Sequence, residues 1–271
     1  SAKSMSNPKC RSLIFPFPIA QTMQITLLQT DIVWSDVSAN LKNAERLMLS
    51  APRSDLYVLP EMFSTGFATD PSGIAETEPC ESLRWMHQMA DRLDAAVAGS
   101  VALQCADGRF RNRFYFVQPH GVVAHYDKHH LFTYSHENEG YTAGNQRVIV
   151  EFRGVRFLLM VCYDLRFPVW SRSREDYDCI LYVASWPTSR IEVWRTLLKA
   201  RAIENQCFVA GVNRVGQDVA CAYSGGTMLI DAYGRVQSRC EDEAASTVTA
   251  SLDMDKLTAF RQKFPVLKDR D

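Results

Sequence analysis

The sequence lacks the features that would assign it to several broad classes of protein. Its 271 residues carry 30 Lys and Arg against 31 Asp and Glu, and the resulting net charge of −1 provides no general attraction to nucleic acid. No apolar run reaches the ~20 residues that a membrane-spanning helix needs. The 46% hydrophobic and 23% charged fractions are typical of a folded globular protein. These counts predict a globular protein without nucleic-acid or membrane partners, and they leave its chemistry open.

Regularly spaced cysteine pairs are also missing, although the sequence contains eight cysteines. Without a C-x-x-C pair there is no sign of a zinc finger or of a thioredoxin-like motif. A chain long enough to build a core does not need a disulfide framework, so we expect reduced thiols in a reducing compartment, the cytoplasm. Most of them should be small core residues, and one or two should be functional. The eight are Cys10, Cys80, Cys105, Cys162, Cys179, Cys207, Cys221 and Cys240.

The first 22 residues differ in composition from the rest of the chain. They are rich in Ser, Lys and Pro, and their apolar stretch from Leu13 to Ala20 invites interpretation as a signal peptide. Two prolines within this stretch disfavour the helix that a signal peptide forms. We therefore interpret residues 1–22 as an N-terminal extension or an artificial leader, with the natural start at Met23, and residues 23–271 as a single domain.

The body of the chain alternates between helix and strand patterns. Apolar residues recur at helical spacing in three segments, and short apolar runs bounded by turn residues predict strands between them. Further strands pair as hairpins around Pro119–Gly121, Arg153–Gly154 and Ala232–Gly234. This mixture predicts an α/β fold, with too many hairpins for a purely parallel, doubly wound sheet. The predicted helices cover 37–48, 81–93 and 193–204, and the main predicted strands 24–29, 56–59, 95–101, 180–184 and 208–213.

Three chemically reactive side chains stand at the ends of apolar strands, where α/β proteins commonly build their sites. They are Glu61, Lys128 and Cys162. Taken singly, each has a structural alternative: a cap or surface residue for Glu61, a solvated turn for Lys128 and a core thiol for Cys162. Together they form a complete set for nucleophilic catalysis. A glutamate can accept the proton of the thiol, and a lysine can stabilise the oxyanion that forms when the sulfur attacks a carbonyl group.

The segments that carry these residues resemble the signature segments of the nitrilase, or carbon–nitrogen hydrolase, superfamily. The segments are Leu59–Phe63, Tyr126–Phe132 and Val161–Pro168, and their Glu, Lys and Cys follow in the family's order, 67 and 34 residues apart. The resemblance extends from about Met23 to Lys268. Three further stretches are similar to the ω-amidase branch in particular: Cys162–Arg172, Ser185–Pro187 and Arg201–Gln206.

The resemblance implies a four-layer α-β-β-α sandwich that assembles into a homodimer or a larger homo-oligomer. It also implies roles for four side chains: Glu61 as general base, Lys128 as oxyanion stabiliser, Cys162 as nucleophile and a second glutamate that orients the lysine. Glu137, seven residues before Gly144, matches the spacing of this second glutamate better than Glu139 does. The backbone N–H of Tyr163, on the turn after the nucleophile, would be a second donor to the oxyanion.

The same resemblance implies a small ω-amide of a 2-oxo dicarboxylic acid as the substrate, and no metal or other cofactor. A guanidinium group suits the distal carboxylate of such a substrate, so Arg166, Arg190 and Arg195 are candidates, each with a structural ion pair as the alternative. The aromatic candidates for the pocket wall are Phe63, Tyr134 and Trp186, which could equally be plain packing. His129, His130 and His136 lack the spacing of a metal-binding motif.

Two other functions remain open on the sequence alone. An N-carbamoyl amine or amino-acid hydrolase of the same superfamily would use the same Glu, Lys and Cys and differ in its pocket. A catalytically idle binding protein on the same fold is the other alternative, and the presence of all three reactive residues argues against it.

Overall fold

Two β-sheets lie face to face at the centre of the computed structural model, which describes residues 22–271. The predicted N-terminal extension lies outside the described residues except for Thr22, which begins the first strand. In spatial order, the first sheet consists of β15 (Ser246–Asp253), β1 (Thr22–Gln29), β2 (Leu56–Val58), β4 (Ala96–Gln104), β5 (Phe110–Val117) and β6 (Val123–Asp127), with β3 (Glu76–Thr77) beside β4. The second consists of β14 (Val236–Arg239), β13 (Met228–Ile230), β10 (Phe208–Asn213), β9 (Cys179–Ala184), β8 (Val155–Val161) and β7 (Ile149–Phe152).

Helices cover the outer face of each sheet. The helices are α1 (Val37–Ser50) and α2 (Glu81–Leu93) on the first sheet, α5 (Ile191–Asn205) on the second, and the shorter α3 (Glu137–Gly140), α4 (Pro168–Ser171) and α6 (Met254–Lys263). Alternation along β8 illustrates the layering, because successive side chains of a strand point to opposite faces. Leu159 and Val161 pack between the sheets, whereas Leu158 and Met160 pack against α5. The predicted four-layer α-β-β-α sandwich is confirmed.

The predicted hairpins are present as antiparallel pairs. β5 pairs with β6, β7 with β8, and β13 with β14. The main differences from the prediction lie in exposed or short elements, which have weak apolar patterns. The edge strand β15 and the helix α6 were not predicted, nor was the hairpin of β11 (Val215–Gln217) and β12 (Ala222–Ser224). β15 has the sequence STVTASLD, whose only fully buried side chain is Leu252.

The cysteines of residues 22–271 are all free thiols, as expected. Cys80, Cys179, Cys207 and Cys240 are buried, and burial raises the pKa of each of these thiols above its ordinary value. They are therefore poor nucleophiles, since the thiolate is the reactive form. In the described part of the chain, no helix is long and apolar enough to cross a bilayer.

The two sheets deliver several strand ends to one edge of the sandwich. β2, β4 and β6 run in the same direction in the first sheet, and β8, β9 and β10 do so in the second. Glu61 and Lys128 follow β2 and β6, whereas Cys162 and Ser185 follow β8 and β9. The Ser185 N–H donates to the Glu61 carboxylate at 2.8 Å, so the strand ends of both sheets meet.

Candidate active site

A cavity of about 370 Å³ opens at this edge of the sandwich. Glu61, Lys128 and Cys162 all line it, so the structure brings together the three reactive residues that the sequence placed at strand ends. Its wall also contains four other predicted residues, namely Tyr163, Arg166, Trp186 and Arg190. The cavity is therefore the candidate active site.

Cys162 occupies a strained turn at the end of β8. Its φ is 44°, a left-handed backbone conformation that residues other than glycine rarely adopt. The carboxylate of Asp164 stabilises this turn: one oxygen accepts from the Val161 N–H at 2.9 Å and from the Tyr126 hydroxyl at 2.8 Å, and the other accepts from the His130 N–H at 3.0 Å. The turn thereby presents the Cys162 thiol to the cavity and ties it to the segment that carries Lys128.

Lys128 lies between two buried carboxylates. Its Nζ is 2.9 Å from Oε1 of Glu61 and 2.9 Å from Oε2 of Glu137, and the side chains of all three residues are at most 1% exposed. Glu139, the less favoured alternative, is exposed and pairs with His136 instead. Nζ also lies 3.0 Å from Oε1 of Glu137, so its three acceptors are all carboxylate oxygens, and a ligand in the cavity would take over one of these N–H groups.

The electrostatics of the cluster keep the lysine charged and the thiol neutral. Burial by itself would lower the pKa of Lys128, but Glu137 and Glu61 outweigh it and raise that pKa above its ordinary value. Burial raises the pKa of Glu137, against the opposing effect of Lys128. Burial and the neighbouring Glu61 carboxylate raise the pKa of the Cys162 thiol as well. The thiol therefore needs a base before it can act as a nucleophile, and Glu61 is the carboxylate whose charge and hydrogen bond act on it.

Two residues that support Glu61 were missed by the sequence reasoning. Asn112 on β5 donates through Nδ2 to Oε1 of Glu61 at 2.8 Å and to Oε1 of Glu137 at 3.3 Å. Ser185 donates its N–H to Oε2 of Glu61, and its hydroxyl contacts the Glu61 carbonyl oxygen at 3.3 Å. Ser185 follows a predicted buried strand, a signal that could have found it. Asn112 lies within a strand and has no such signal.

Two arginines form a cationic wall of the cavity. The guanidinium carbon of Arg166 is 5.2 Å from the ring centroid of Trp186, and that of Arg190 is 5.4 Å from the ring centroid of Phe132. Trp186 is itself held in place, since its Nε1–H donates to the Arg190 carbonyl at 2.8 Å. Neither guanidinium group forms an ion pair with any carboxylate of residues 22–271, unlike the arginines that pair on the surface. Both cations are thus placed to receive an anionic group.

The structure corrects the placement of Phe63. Its ring is buried between the first sheet and α2, with its centroid 5.9 Å from that of Trp85. The backbone between Glu61 and Phe63 passes through a left-handed residue, Met62 with a φ of 44°, and this turn separates the two side chains. Glu61 lines the cavity, whereas Phe63 fills the outer layer of the core.

Tyr134 and Arg195 also lie outside the cavity. Tyr134 is 82% exposed on a short turn that follows Phe132. Arg195 lies on α5, where it pairs with Glu192 at 2.8 Å and with Asp242 at 2.7 Å. For Arg195 the structural alternative holds, because helical spacing places it beside Glu192.

The three histidines near Lys128 in the sequence form hydrogen bonds with other groups of the protein. Nδ1 of His129 lies 2.6 Å from the Gly144 carbonyl oxygen, and Nδ1 of His130 lies 2.8 Å from the Asp164 carboxylate. His136 lies on the surface. Across residues 22–271, no group of three or more His, Cys, Asp or Glu side chains is arranged to hold a metal ion.

Comparisons with known proteins agree with this geometry. A sequence model of the carbon–nitrogen hydrolase family matches residues 24–262. The chain is 48% identical over 251 residues to the omega-amidase YafV of Yersinia enterocolitica, covering 92% of this chain and 97% of that protein. It is 33% identical over 251 residues to the 2-oxoglutaramate amidase of Bacillus subtilis, covering 90% of this chain and 96% of that protein.

A solved structure shares both the fold and much of the sequence. It is that of XC1258 from Xanthomonas campestris, described as a CN-hydrolase superfamily protein with an arsenic adduct in the active site. The two chains are 40% identical with a TM-score of 0.89, and the match covers 92% of this chain and 97% of XC1258. With the family match over most of the sequence, these similarities show that the chain belongs to the carbon–nitrogen hydrolase family, the nitrilase superfamily.

Proposed function

We propose that this enzyme is an ω-amidase, which hydrolyses the terminal amide of a small 2-oxo acid such as 2-oxoglutaramate or 2-oxosuccinamate to the acid and ammonia. The observation that carries the proposal is one cavity in which Cys162, Glu61 and Lys128 lie together with two guanidinium groups that have no carboxylate partner among residues 22–271. The names of the omega-amidase and 2-oxoglutaramate amidase relatives support the same substrate class. The reaction needs no cofactor.

The first half of the reaction forms a thioester. Glu61 accepts the proton of the Cys162 thiol, and the sulfur attacks the amide carbonyl carbon. One N–H of Lys128 turns from the Glu137 carboxylate to the oxyanion and stabilises it together with the backbone N–H of Tyr163, while the remaining bond to Glu137 holds the lysine in position. When the C–N bond breaks, Glu61 passes its proton to the leaving nitrogen, which departs as ammonia.

The second half releases the acid. A water molecule enters where ammonia left, and Glu61 accepts one of its protons as the water oxygen attacks the thioester carbonyl. Lys128 and the Tyr163 N–H stabilise the second oxyanion as they did the first. The C–S bond then breaks, and the Cys162 sulfur recovers its proton from Glu61.

Arg166 and Arg190 would bind the distal carboxylate of the substrate. A carboxylate suits the two parallel N–H groups of a guanidinium, and a cavity of about 370 Å³ is within the usual size range for small-molecule sites. Trp186 would form a flat wall beside the carbon chain. An N-carbamoyl amino acid also has a carboxylate, so the same wall keeps the carbamoylase alternative open.

We also propose that the protein is a cytoplasmic homodimer or larger homo-oligomer. The free thiols of the described chain support a reducing compartment. Exposed apolar side chains such as Val169, 86% exposed, and Phe264, 58% exposed, support association with further copies. Sedimentation equilibrium of the purified protein tests the oligomeric state, and a single monomeric species would contradict the proposed homo-oligomer.

The function is tested with a panel of small amides assayed for released ammonia and carbon dioxide. We expect ammonia alone, and much faster turnover of 2-oxoglutaramate and 2-oxosuccinamate than of glutamine or asparagine. Ammonia together with carbon dioxide from an N-carbamoyl substrate would favour the carbamoylase. A protein that hydrolyses no amide, and whose Cys162 reacts with a thiol reagent no faster than its other cysteines, would be an idle binding protein.

A further inference from the structure

Asn112 is a buried polar residue inside the reactive cluster, although it does not line the cavity. It is 1% exposed and lies on β5, opposite Ala102 of β4. Its backbone carbonyl accepts from the Lys128 N–H at 3.0 Å, which ties this residue to the one that carries the ammonium group. A buried amide next to two buried carboxylates needs an explanation, because polar groups are costly to bury.

The Asn112 amide and the Lys128 ammonium bind the same two oxygens. Nδ2 of Asn112 lies 2.8 Å from Oε1 of Glu61 and 3.3 Å from Oε1 of Glu137. Nζ of Lys128 lies 2.9 Å and 3.0 Å from those same atoms. Two donors and two acceptors thus close a ring, in which the amide is the only neutral donor among the four groups.

The charges of this ring show why a neutral donor is useful. Two buried carboxylates share one lysine. Carboxylates that lie so near each other resist simultaneous ionisation unless hydrogen-bond donors stabilise them. A second cation would neutralise the cluster and tie up the base. An amide instead donates to both carboxylates without adding charge, and it stays in place when Lys128 directs an N–H to the substrate oxyanion.

We propose that Asn112 is a positioning residue that keeps the Glu61 carboxylate ionised and oriented toward Cys162 throughout the reaction. The proposal deepens the proposed amidase function and rests on it. Four titratable groups face Glu61 or its partner carboxylate from the elements around them: Lys128 after β6, Glu137 on α3, Cys162 after β8, and Tyr141, which follows α3. Asn112 acts together with the Ser185 N–H, which holds the second oxygen of Glu61.

The test compares asparagine with two side chains of nearly the same shape. Asn112→Leu removes the donor, and Asn112→Asp replaces it with a third carboxylate. Losing a donor favours protonation of the carboxylates, and the base must be ionised to act. The acid limb of the kcat/KM profile should therefore move to higher pH by about one unit in Asn112→Leu and further in Asn112→Asp. The loss should appear in kcat rather than in KM, because Asn112 does not line the cavity.

Asn205→Leu is the matched control. Asn205 is also fully buried, and its side chain makes hydrogen bonds of 3.0 Å to the Arg201 carbonyl and 2.9 Å from the Ser173 N–H, away from the carboxylates. This variant should be less stable than the wild type but keep its acid limb. Should Asn112→Leu fail to fold, Asn112→Ala withdraws the donor with a smaller side chain and gives the same comparison. An acid limb that stays in place in every folded Asn112 variant would overturn the proposal.

A second measurement separates this proposal from the proposed function. Iodoacetamide alkylates Cys162 without turnover: the sulfur bonds to the reagent's CH₂ carbon, iodide leaves and the thiol proton passes to the base. We expect the rate at Cys162, followed by mass spectrometry, to fall about tenfold in Asn112→Leu below the acid limb. If the wild-type protein hydrolyses no ω-amide, and Asn112→Leu is still alkylated about tenfold more slowly than the wild type, the proposed substrate is refuted and the role of Asn112 is retained. Unchanged alkylation in the variants would refute that role, whatever the substrate.

Discussion

Two regions of the active site use charge in opposite ways: the floor, by which we mean Lys128 with Glu61 and Glu137, and the wall, by which we mean Arg166 and Arg190. On the floor, Lys128 pairs with Glu61 and Glu137 at 2.9 Å, and water has almost no access to these three side chains. On the wall, Arg166 and Arg190 stack on aromatic rings and have no carboxylate partner among residues 22–271. Charges that neutralise each other are fixed in place for chemistry at one atom, whereas unpaired cations are available to bind an anion.

The two regions should therefore respond differently to substitution. Removing the lysine of the floor leaves two carboxylates buried without a counter-charge, which affects both folding and catalysis. Removing one member of the wall leaves no partner behind, because the arginines have none in the described chain. Its effect should be confined to substrates that carry a carboxylate.

The largest effect is expected from Lys128→Met. Loss of an oxyanion donor typically costs ~10²–10³ in rate, and the loss of the cation next to Glu61 should add to this. The two carboxylates left behind should lower the free energy of unfolding by about 3–5 kcal/mol near neutral pH. Ammonia release and urea-induced unfolding measure these two effects.

The pH dependence of this variant follows from the direction of the Glu137 shift. Burial already raises the pKa of Glu137 in the folded protein, and losing Lys128 removes the group that opposes this rise. Above the folded pKa, the native state must bury a charged carboxylate that the unfolded chain exposes. The deficit should therefore be largest near neutral pH and shrink as the pH falls toward the ordinary pKa of a glutamate, ~4.3.

Cys162→Ala is the matched control for Lys128→Met. It should abolish turnover, because no thioester can form, and yet leave the charge balance of the floor intact. Its free energy of unfolding should therefore stay much closer to that of the wild type. Equal destabilisation of the two variants would contradict the view that the floor depends on its lysine for charge neutralisation.

The difference between floor and wall also explains what the sequence could predict. Glu61, Lys128 and Cys162 each end an apolar strand, and strand ends that share a direction meet at one edge. Their positions at strand ends were therefore predictable from pattern, whereas their joint role in one site was implied by the family resemblance. Asn112 was not, because it lies inside β5 and its importance comes only from the two carboxylates it contacts.

The residues of the wall were predicted less well, because the direction in which a loop side chain points depends on the turns of the backbone. Phe63 stands two residues after Glu61, but the left-handed Met62 turns it into the outer core. Arg166 and Arg195 looked equivalent as cations, and only the fold places one beside Trp186 and the other beside Glu192. In the same way the α/β class and most helices and strands followed from apolar patterns and the four-layer arrangement from the family resemblance, whereas the polar edge strand β15 followed from neither.

A smaller effect is expected from Arg166→Gln and Arg190→Gln. Hydrogen bonds to a charged group are worth about 1.5–3 kcal/mol, so each change should lower kcat/KM for 2-oxoglutaramate about 10- to 100-fold. Most of this loss should appear as a higher KM, because the carboxylate is bound before and during the reaction. Steady-state kinetics of ammonia release measure it.

A neutral substrate provides the control for the wall. Pentanamide has no distal carboxylate, so both variants should hydrolyse it at nearly the wild-type rate. The thermal stability of the variants should change little, since neither arginine has a carboxylate partner in the described chain. An equal loss on both substrates would show that these arginines support the floor, and the distinction between the two regions would fail.

The smallest effect is expected from Arg195→Gln, which tests the comparison with an arginine outside the cavity. Arg195 pairs with Glu192 and Asp242, whose side chains are 78% and 46% exposed, so solvent screens both pairs. Exposed pairs of this kind contribute about 0–1 kcal/mol, and the free energy of unfolding should change by no more than that. Because the guanidinium group does not reach the cavity, kcat/KM should be unchanged for 2-oxoglutaramate and for pentanamide alike. A selective loss on 2-oxoglutaramate would place Arg195 in the binding wall, since the two substrates differ only at the 2-oxo carboxylate end that the wall is proposed to bind.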